Sequence, residues 1–198
     1  YDAAYNHMKT SIANIIRPDA SSYHTFFFDM ATNEPLRGET HQGFSDDSSW
    51  ARGQSWAVYG LALCYHYTHE EAILPLFERV TKYFIDHLPE DYVPYWDLIF
   101  SDGSCEPRDT SAAAIAACGI LEMEKYYHNQ EFLDIAKKMM SSLSEKYTTV
   151  DYLQSNGIIK DGMYSRKHGH KSECTSWGDY FYLEALMRMK KSDWKIYW

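Results

Sequence analysis

The sequence lacks three features that would each define a class of protein. Its 198 residues contain no CxxC spacing, no apolar run of membrane-spanning length and no stripe of basic residues. Two of the four cysteines lie in small-residue helical runs, where a thiol packs as an apolar group, so we expect all four to be reduced. We therefore predict a protein without a membrane partner and place it in the cytoplasm. The cysteines are Cys64, Cys105, Cys118 and Cys174.

Positive charge and metal-ligand patterns are also scarce. The formal net charge is -9 and the pI is near 5.4, which argues against a nucleic-acid partner. Such a chain can still bind an acidic ligand through one local arginine. The closest histidine pairs, His66 with His69 and His168 with His170, do not form a metal-ligand pattern. We expect neither a metal nor a cofactor.

The first residues, Tyr1-Asp-Ala-Ala-Tyr, include no initiator methionine and no leader-like pattern of basic and apolar residues. We therefore expect a mature form or a fragment. The length suits one domain, residues 1–198, with a sizeable core. Aromatic residues make up 16% of the sequence, which favours aromatic-lined clefts that stack on sugar rings or flat ligands, although aromatics are also ordinary core material.

Helical periodicity dominates the chain. Phe26-Phe27-Phe28 and the turn-rich stretch after it predict one hairpin or extended loop over residues 23–38. Two long loops, residues 89–109 and 149–174, are too aromatic to be disordered and are therefore expected to carry function. The predicted helices cover residues 1–16, 50–68, 71–88, 110–127, 130–147 and 175–190.

The helices alternate in character. Those that begin near Trp50, Asp109 and Trp177 open with polar residues and continue through small or aromatic ones, and the first two are each followed by a more charged helix. Small residues let inner helices crowd a common axis, and charged residues keep an outer ring soluble. The pattern predicts an all-α fold of the α/α toroid type.

The stretch from His41 to Trp56 concentrates chemistry at a predicted helix start. Five candidate N-cap residues, 45–49, precede the helix. Arg52 and Trp56 are four residues apart and share a face, so a cation and an aromatic plate are expected to point together, which suits an anionic sugar. The alternative is that Arg52 pairs with Asp46 or Asp47 and that Trp56 is core.

These residues resemble a known family. His41-Gln42-Gly43-Phe44-Ser45-Asp46-Asp47-Ser48 followed by Trp50-Ala51-Arg52-Gly53-Gln54-Ser55-Trp56 is similar to the signature of the unsaturated glucuronyl hydrolases, glycoside hydrolases that degrade unsaturated disaccharides left by polysaccharide lyases. Further similar segments occur in the family's order over essentially the whole chain. They are Tyr23-His24-Thr25-Phe26, Glu106-Pro107-Arg108-Asp109-Thr110-Ser111 and Trp177-Gly178-Asp179-Tyr180.

The resemblance implies a fold and a reaction. The family fold is an (α/α)6 barrel, and the roughly six helices predicted here resemble its C-terminal half. The two family aspartates lie in segments that would precede Tyr1, so no catalytic residue is assigned within the chain. The implied reaction hydrates the C4=C5 double bond of the uronic acid with one acid/base group. The implied partners are an unsaturated uronyl disaccharide and the missing N-terminal half, and a chain without that half is expected to be inactive.

The resemblance also implies substrate-binding residues. Gln42 and Arg52 are suited to hold the uronate or the polarised ring, and Trp56 to stack on it. His24 and His41 match active-site positions, although histidines there could equally be structural. Tyr164 resembles an aromatic wall of the site.

Arg37 and Lys171 stand where relatives that act on sulfated glycosaminoglycans hold sulfate, but Gly169 replaces an expected serine. The basic loop around Lys171 could also be a solvated turn. We interpret four tempting acids as helix-start caps and supports rather than catalytic groups. They are Asp46, Asp47, Asp109 and Asp179.

Two other functions stay open from the sequence. One is an unsaturated rhamnogalacturonyl hydrolase, which shares the toroid, although the His41 to Trp56 signature favours the glucuronyl group. The other is a non-catalytic helical binding module or remnant, which the absence of the family aspartates would permit.

Overall fold

Six α-helices, a short 3-10 helix (Arg166–His168) and one hairpin make up the regular structure of the described residues. The computed structural model describes residues 1–191 and 193–196. In it the antiparallel strands β1 (Thr25–Phe28) and β2 (Pro35–Glu39) form the predicted hairpin. The helices are α1 (Asp2–Ile15), α2 (Ala51–Thr68), α3 (Ile73–Asp86), α4 (Thr110–Met123), α5 (Gln130–Lys146) and α6 (Ser176–Lys190).

Helices α2, α4 and α6 form an inner layer in which α4 packs between the other two. Nearly every residue of α4 is buried, including the run Ala112, Ala113 and Ala114. At Gly119, an added Cβ would lie only 2.8 Å from the backbone N and Cα of Tyr59 on α2. The small residues are therefore what allows the two inner helices to touch along their backbones.

Helices α3 and α5 form the outer layer, α3 against α2 and α5 against α4. Each is amphipathic: α3 buries Phe77 and Phe84 and exposes Glu78, while α5 exposes Lys137. A charged outer face and an apolar inner face are the pattern of helices that cover a core. The predicted alternation of inner and outer helices is confirmed.

Helix α1 is packed differently. It lies against the hairpin, and in the described part of the chain none of its residues is fully buried. An apolar cavity of about 650 Å³, here called the α1–α2 groove, separates it from α2. Met8 and Ile12 line one wall, and Trp56, Ala57 and Leu61 line the other.

The prediction that a side chain from residues 45–49 caps α2 is wrong. Trp50 is the N-cap, and no side chain among the described residues caps the helix. The backbone there is paired instead with the loop after α3, because Ala51 N donates to Trp96 O at 3.1 Å and Leu98 N donates to Ser49 O at 2.9 Å. Ser45 and Ser48 instead hydrogen-bond to each other in a turn that leads into the helix.

Helix α4 ends earlier than predicted, at Met123 rather than Tyr127. The backbone tightens beyond that point, because Lys125 N donates to Glu122 O and Tyr126 N donates to Met123 O. Hydrogen bonds of this i to i+3 type commonly close the last turn of a helix.

The contact at Gly119 predicts a large loss of stability in Gly119→Ala. The methyl group would meet the backbone of Tyr59, so α2 and α4 would have to separate, at a cost of about 1 to 3 kcal/mol. Gly60→Ala on α2 is the control, because nothing lies within 4 Å of its added Cβ, and we expect a gain of roughly 0.5 to 1 kcal/mol there. Urea denaturation measures both. Equal stability of Gly119→Ala and wild type would contradict the close approach.

Candidate active site

The candidate site lies where the N-terminal ends of the three inner helices meet two loops. Arg52 is in the first turn of α2, Asp109 is the N-cap of α4, and Trp177 is in the first turn of α6. Residues 40–50 and 159–171 close around these ends. The positive ends of three helix dipoles therefore point toward one region, which favours an anionic ligand.

His24 is held as a neutral imidazole. Its Nδ1 accepts hydrogen bonds from the backbone N–H groups of His41 at 2.9 Å and Gln42 at 3.0 Å, and its ring centroid lies 4.4 Å from that of Trp50. Burial, reinforced by His41, Arg52 and Lys167, lowers the pKa of His24 from 6.5 to about 4. With Nδ1 acting as an acceptor, the ring proton is on Nε2, where it can be donated.

His41 is exposed, and its ring lies near that of His168, which the sequence interpretation did not include in the site. Its ring centroid is 4.6 Å from that of His168 and 6.2 Å from that of His24. His168 belongs to the basic loop around Lys171, and its Nδ1 lies 2.6 Å from the hydroxyl of Ser165. The only sequence signal for it was the basic character of that loop.

Gln42 and Tyr164 are joined by one hydrogen bond. Gln42 Nε2 donates to the backbone carbonyl of Tyr164 at 2.6 Å. The ring of Tyr164 is 45% exposed and packs against His170 at 4.8 Å and Trp177 at 5.9 Å between centroids. An open aromatic face thus stands beside a polar amide.

Arg52 is almost fully buried and pairs with Asp109, not with Asp46 or Asp47. The distance from Arg52 Nη1 to Asp109 Oδ2 is 2.7 Å. The same guanidinium donates to the carbonyls of Met163 at 2.8 Å and Tyr164 at 2.7 Å. Both alternatives weighed from the sequence missed this partner, because it lies 57 residues along the chain.

Trp56 does not point with Arg52 into one space. It is 37% exposed, packs edge-to-face on Phe181 at 5.1 Å, and lines the α1–α2 groove together with His24 and Trp50. Its exposed face is therefore turned toward the groove, and its stacking on a sugar ring stays a prediction.

Arg37 and Lys171 lie outside this cluster. Arg37 is exposed on β2, where it forms an ion pair with Glu39 and lies over the ring of Phe27 at 5.0 Å. Lys171 is exposed on the loop that follows His168. Contacts join five of the predicted residues, and Trp56 shares the groove with one of them. The five are His24, His41, Gln42, Arg52 and Tyr164.

Asp97 braces the site and was missed by sequence reasoning. It is completely buried. Its Oδ2 accepts from Phe44 N at 2.9 Å and from the Ser48 hydroxyl at 2.8 Å. Gly43 is needed in the same turn, since an added Cβ would lie 2.4 Å from Thr40 Oγ1. One buried carboxylate therefore shapes the turn that carries Gln42.

The four acids that the sequence interpretation assigned as helix-start caps and supports have different roles. Asp109 caps α4 through Ser111 N, as expected. Asp46 instead braces a loop by accepting from Thr40 N at 2.7 Å. Asp179 accepts from the backbone N–H groups of residues 158 and 159 at 3.0 Å each. Asp47 is exposed. The cap of α6 is Thr175, not Asp179.

Residues 1–191 and 193–196 contain no cluster of three or more His, Cys, Asp or Glu side chains able to hold a metal ion. Within the same ranges no helix has the length and apolar character needed to cross a membrane.

Comparison with solved structures identifies the helical architecture. The chain superimposes on an unsaturated glucuronyl hydrolase from Streptococcus agalactiae with a TM-score of 0.94 and 47% identity, covering 98% of this chain and 50% of that one. A mutant of the enzyme from that organism, complexed with dGlcA-GalNAc6S, matches at a TM-score of 0.89 and 46% identity over 100% of this chain and 54% of that one. The fold is that of half an (α/α)6 barrel glycoside hydrolase.

The sequence comparisons give the particular family. The model of Glycosyl Hydrolase Family 88 matches residues 6–192, and the chain belongs to that family. It is 49% identical to the unsaturated chondroitin disaccharide hydrolase of Streptococcus pneumoniae over 100% of this chain and 51% of the relative. The chain spans about half the length of the relatives that it matches, in agreement with the predicted half-barrel.

The environment of His24 predicts a pH dependence of stability. Its folded-state pKa of about 4 lies below the ordinary 6.5, so the unfolded chain binds more protons between these values. The free energy of unfolding should therefore fall as the pH drops through this window and should receive no further change from His24 below it. His24→Asn keeps an acceptor near the Nδ1 position but cannot titrate.

Urea denaturation at pH values across this window measures the difference. We expect wild type to lose more stability on acidification than His24→Asn. Parallel losses in both proteins would show that His24 is not held neutral.

Proposed function

We propose that the chain forms the substrate-binding half of an unsaturated glucuronyl hydrolase that acts on unsaturated disaccharides derived from glycosaminoglycans. The observation that carries the proposal is the linked group of His24, Gln42 and Tyr164 at the converging ends of the inner helices. A relative with the same half-fold has been solved with dGlcA-GalNAc6S, which supports an acidic disaccharide as the ligand.

The chemistry of the site suits such a ligand. A neutral His24 can donate from Nε2, and the amide of Gln42 stands beside it. The helix dipoles favour a carboxylate, whereas the charge of Arg52 is already paired with Asp109. Trp56 and Tyr164 are both partly open, and an open aromatic face stacks well on a sugar ring. Arg37 and Lys171 are proposed as peripheral contacts to a sulfate. Gly169, which replaces an expected serine, has no side chain that could hold the sulfate.

The proton donor is proposed to come from outside this chain. Two buried carboxylates at the cluster already accept hydrogen bonds within the chain: Asp109 from Arg52 and α4, and Asp97 from the turn that carries Gln42. The family resemblance implies two aspartates in segments that would precede Tyr1. In the proposed reaction, a protonated carboxyl delivers its proton to C4, and water adds at C5 while returning a proton to the carboxylate. The resulting hemiketal opens by breaking the bond between C5 and the ring oxygen, and the hemiacetal left at C1 breaks down to release the second sugar.

The α1–α2 groove is proposed to receive the other half of the protein. It is lined mainly by apolar side chains and contains Trp56 of the candidate site. Exposed apolar grooves are a common form of interaction site. A helix seated there would cover α1 and stand beside Trp56 and His24, so that the second half would complete the site.

The relatives favour this function over the alternatives. Those compared are called glucuronyl or chondroitin disaccharide hydrolases, which supports the glucuronyl over the rhamnogalacturonyl class. A binding module without catalysis would share the site but would turn nothing over. A cytoplasmic location, suggested by the sequence, is kept as part of the proposal.

The activity is tested in what we call the completed protein, meaning this chain joined to the other half of a family member, taken from its own gene or from the Streptococcus pneumoniae relative. The conjugated double bond absorbs ultraviolet light and is lost on hydration. We expect the completed protein to remove this absorbance from an unsaturated chondroitin disaccharide, and the chain alone to leave it unchanged. Trp56→Ala should lower kcat/KM roughly tenfold through lost stacking.

Tyr152→Ala is the matched control, because Tyr152 is an exposed aromatic whose ring contacts Lys160 rather than the residues of the cluster. It should leave turnover unchanged. Binding without loss of absorbance would favour the non-catalytic module. Turnover by the chain alone would place the acid within residues 1–198.

The groove predicts an effect of Gly60→Trp on assembly. Gly60 lines the groove and nothing lies within 4 Å of a Cβ added there, so an indole at this position would extend into the groove. We expect it to block association with the separately expressed other half, measured by sedimentation velocity. Lys82→Trp on the exposed face of α3 is the control and should not interfere. Normal assembly of Gly60→Trp would exclude the groove as the docking surface.

A further inference from the structure

The ion pair between Arg52 and Asp109 joins three parts of the candidate site. From it we infer that Asp109 is a positioning residue: it holds Arg52, and through Arg52 the Met163–Tyr164 backbone, in the arrangement that presents Gln42 and Tyr164 to the ligand. The inference rests on the proposed function and adds to it a residue that acts without touching the substrate.

Asp109 is fully engaged as an acceptor. It is completely buried. Its Oδ2 accepts from Arg52 Nη1 at 2.7 Å, and its Oδ1 accepts from Ser111 N at 3.2 Å and Ser111 Oγ at 2.5 Å. Met163 N lies 3.4 Å from the same oxygen. Between them, the two oxygens therefore bind donors from α2, from α4 and from the 163–164 segment.

Arg52 links Asp109 to the backbone of Met163 and Tyr164. Its Nη1 donates to Met163 O and its Nη2 to Tyr164 O. Its guanidinium carbon lies 4.6 Å from the ring centroid of Trp50 and 5.2 Å from that of Trp177. Rings and acceptors together fix both the position and the plane of the guanidinium, so the carbonyl groups that it binds are fixed as well.

The Tyr164 carbonyl is the point where this network reaches the ligand-facing groups. It accepts from Arg52 Nη2 and from Gln42 Nε2. If that carbonyl moves, the amide of Gln42 and the ring of Tyr164 move with it. The exposed loop that continues to His168 and Lys171 begins two residues later, at Arg166.

The charge on Asp109 is required for this role. A buried guanidinium that loses its anionic partner is an uncompensated charge, which rearranges or admits water. An asparagine at this position could still accept from Ser111 N, so α4 would keep a cap. Arg52 would lose its anion. Positioning can therefore be separated from capping by a single isosteric change.

The experiment compares Asp109→Asn with Asn129→Ala in the completed protein. Asn129 is the N-cap of the outer helix α5, where its side chain accepts from Phe132 N at 3.1 Å, so it controls for the loss of a helix cap. We expect both variants to lower Tm. Only Asp109→Asn should lower kcat/KM, by about 10- to 100-fold, with most of the change in KM.

A second variant, Arg52→Lys, keeps the charge beside Asp109 but cannot reach both carbonyls as a fork. It should also raise KM, with a smaller loss of Tm than Asp109→Asn. Because both substitutions break one network, the double variant should be less impaired than the product of the two effects predicts. Independent, multiplying effects would argue against a shared network.

Limited trypsin digestion provides a readout that does not need turnover. Arg166, Lys167 and Lys171 are exposed on the loop that follows Tyr164. Asp109→Asn should be cleaved there several-fold faster than wild type, and Asn129→Ala should not. If the completed wild type fails to hydrate the disaccharide, the proposed function is wrong, and the digestion still decides whether Asp109 holds the loop.

Two results would overturn the inference. A wild-type KM and wild-type cleavage in Asp109→Asn, with only Tm lowered, would reduce Asp109 to a helix cap. Loss of kcat with unchanged KM and unchanged cleavage would mean that Asp109 takes part in the chemistry.

Discussion

The contact between α2 and α4 at Gly119 and Tyr59 is the constraint on which the rest of the molecule depends. Because the backbones meet there, the two helices run side by side along their length, and α6 packs on the other face of α4. The N-terminal ends of all three helices are consequently brought to one side. The site is built from those ends and from the loops that lead into them, so its geometry follows from the small residues of α4.

Polar groups placed at such a junction must satisfy one another, because water is excluded. Arg52 and Asp109 do so across two helices, and Asp97 does so for the turn that carries Gln42. These buried charges hold loops in place. The groups that remain open are of another kind: the neutral imidazole of His24 and the aromatic faces of Trp56 and Tyr164. The molecule thus separates residues that shape the site from residues that face a ligand.

The α1–α2 groove leaves apolar side chains uncovered on one side of the chain. Helix α1 has an apolar face that meets a cavity instead of a neighbouring helix, although α3 and α5 have comparable faces that are covered. The relatives are about twice as long as this chain, which supplies a reason for the difference. In the proposed assembly, the same surface completes the fold and brings the second half beside His24 and Trp56.

The sequence by itself determined the helical architecture, because periodicity, small inner residues and charged outer residues are local properties that each segment carries alone. It also indicated the family and the site residues through contiguous motifs. Only the tertiary structure decided the partner of Arg52, the role of Asp97 and the start of α2 at Ala51 without a side-chain cap. Each of these depends on a contact between segments about 45 to 60 residues apart, and no local pattern specifies which distant donor meets which acceptor once the helices have packed.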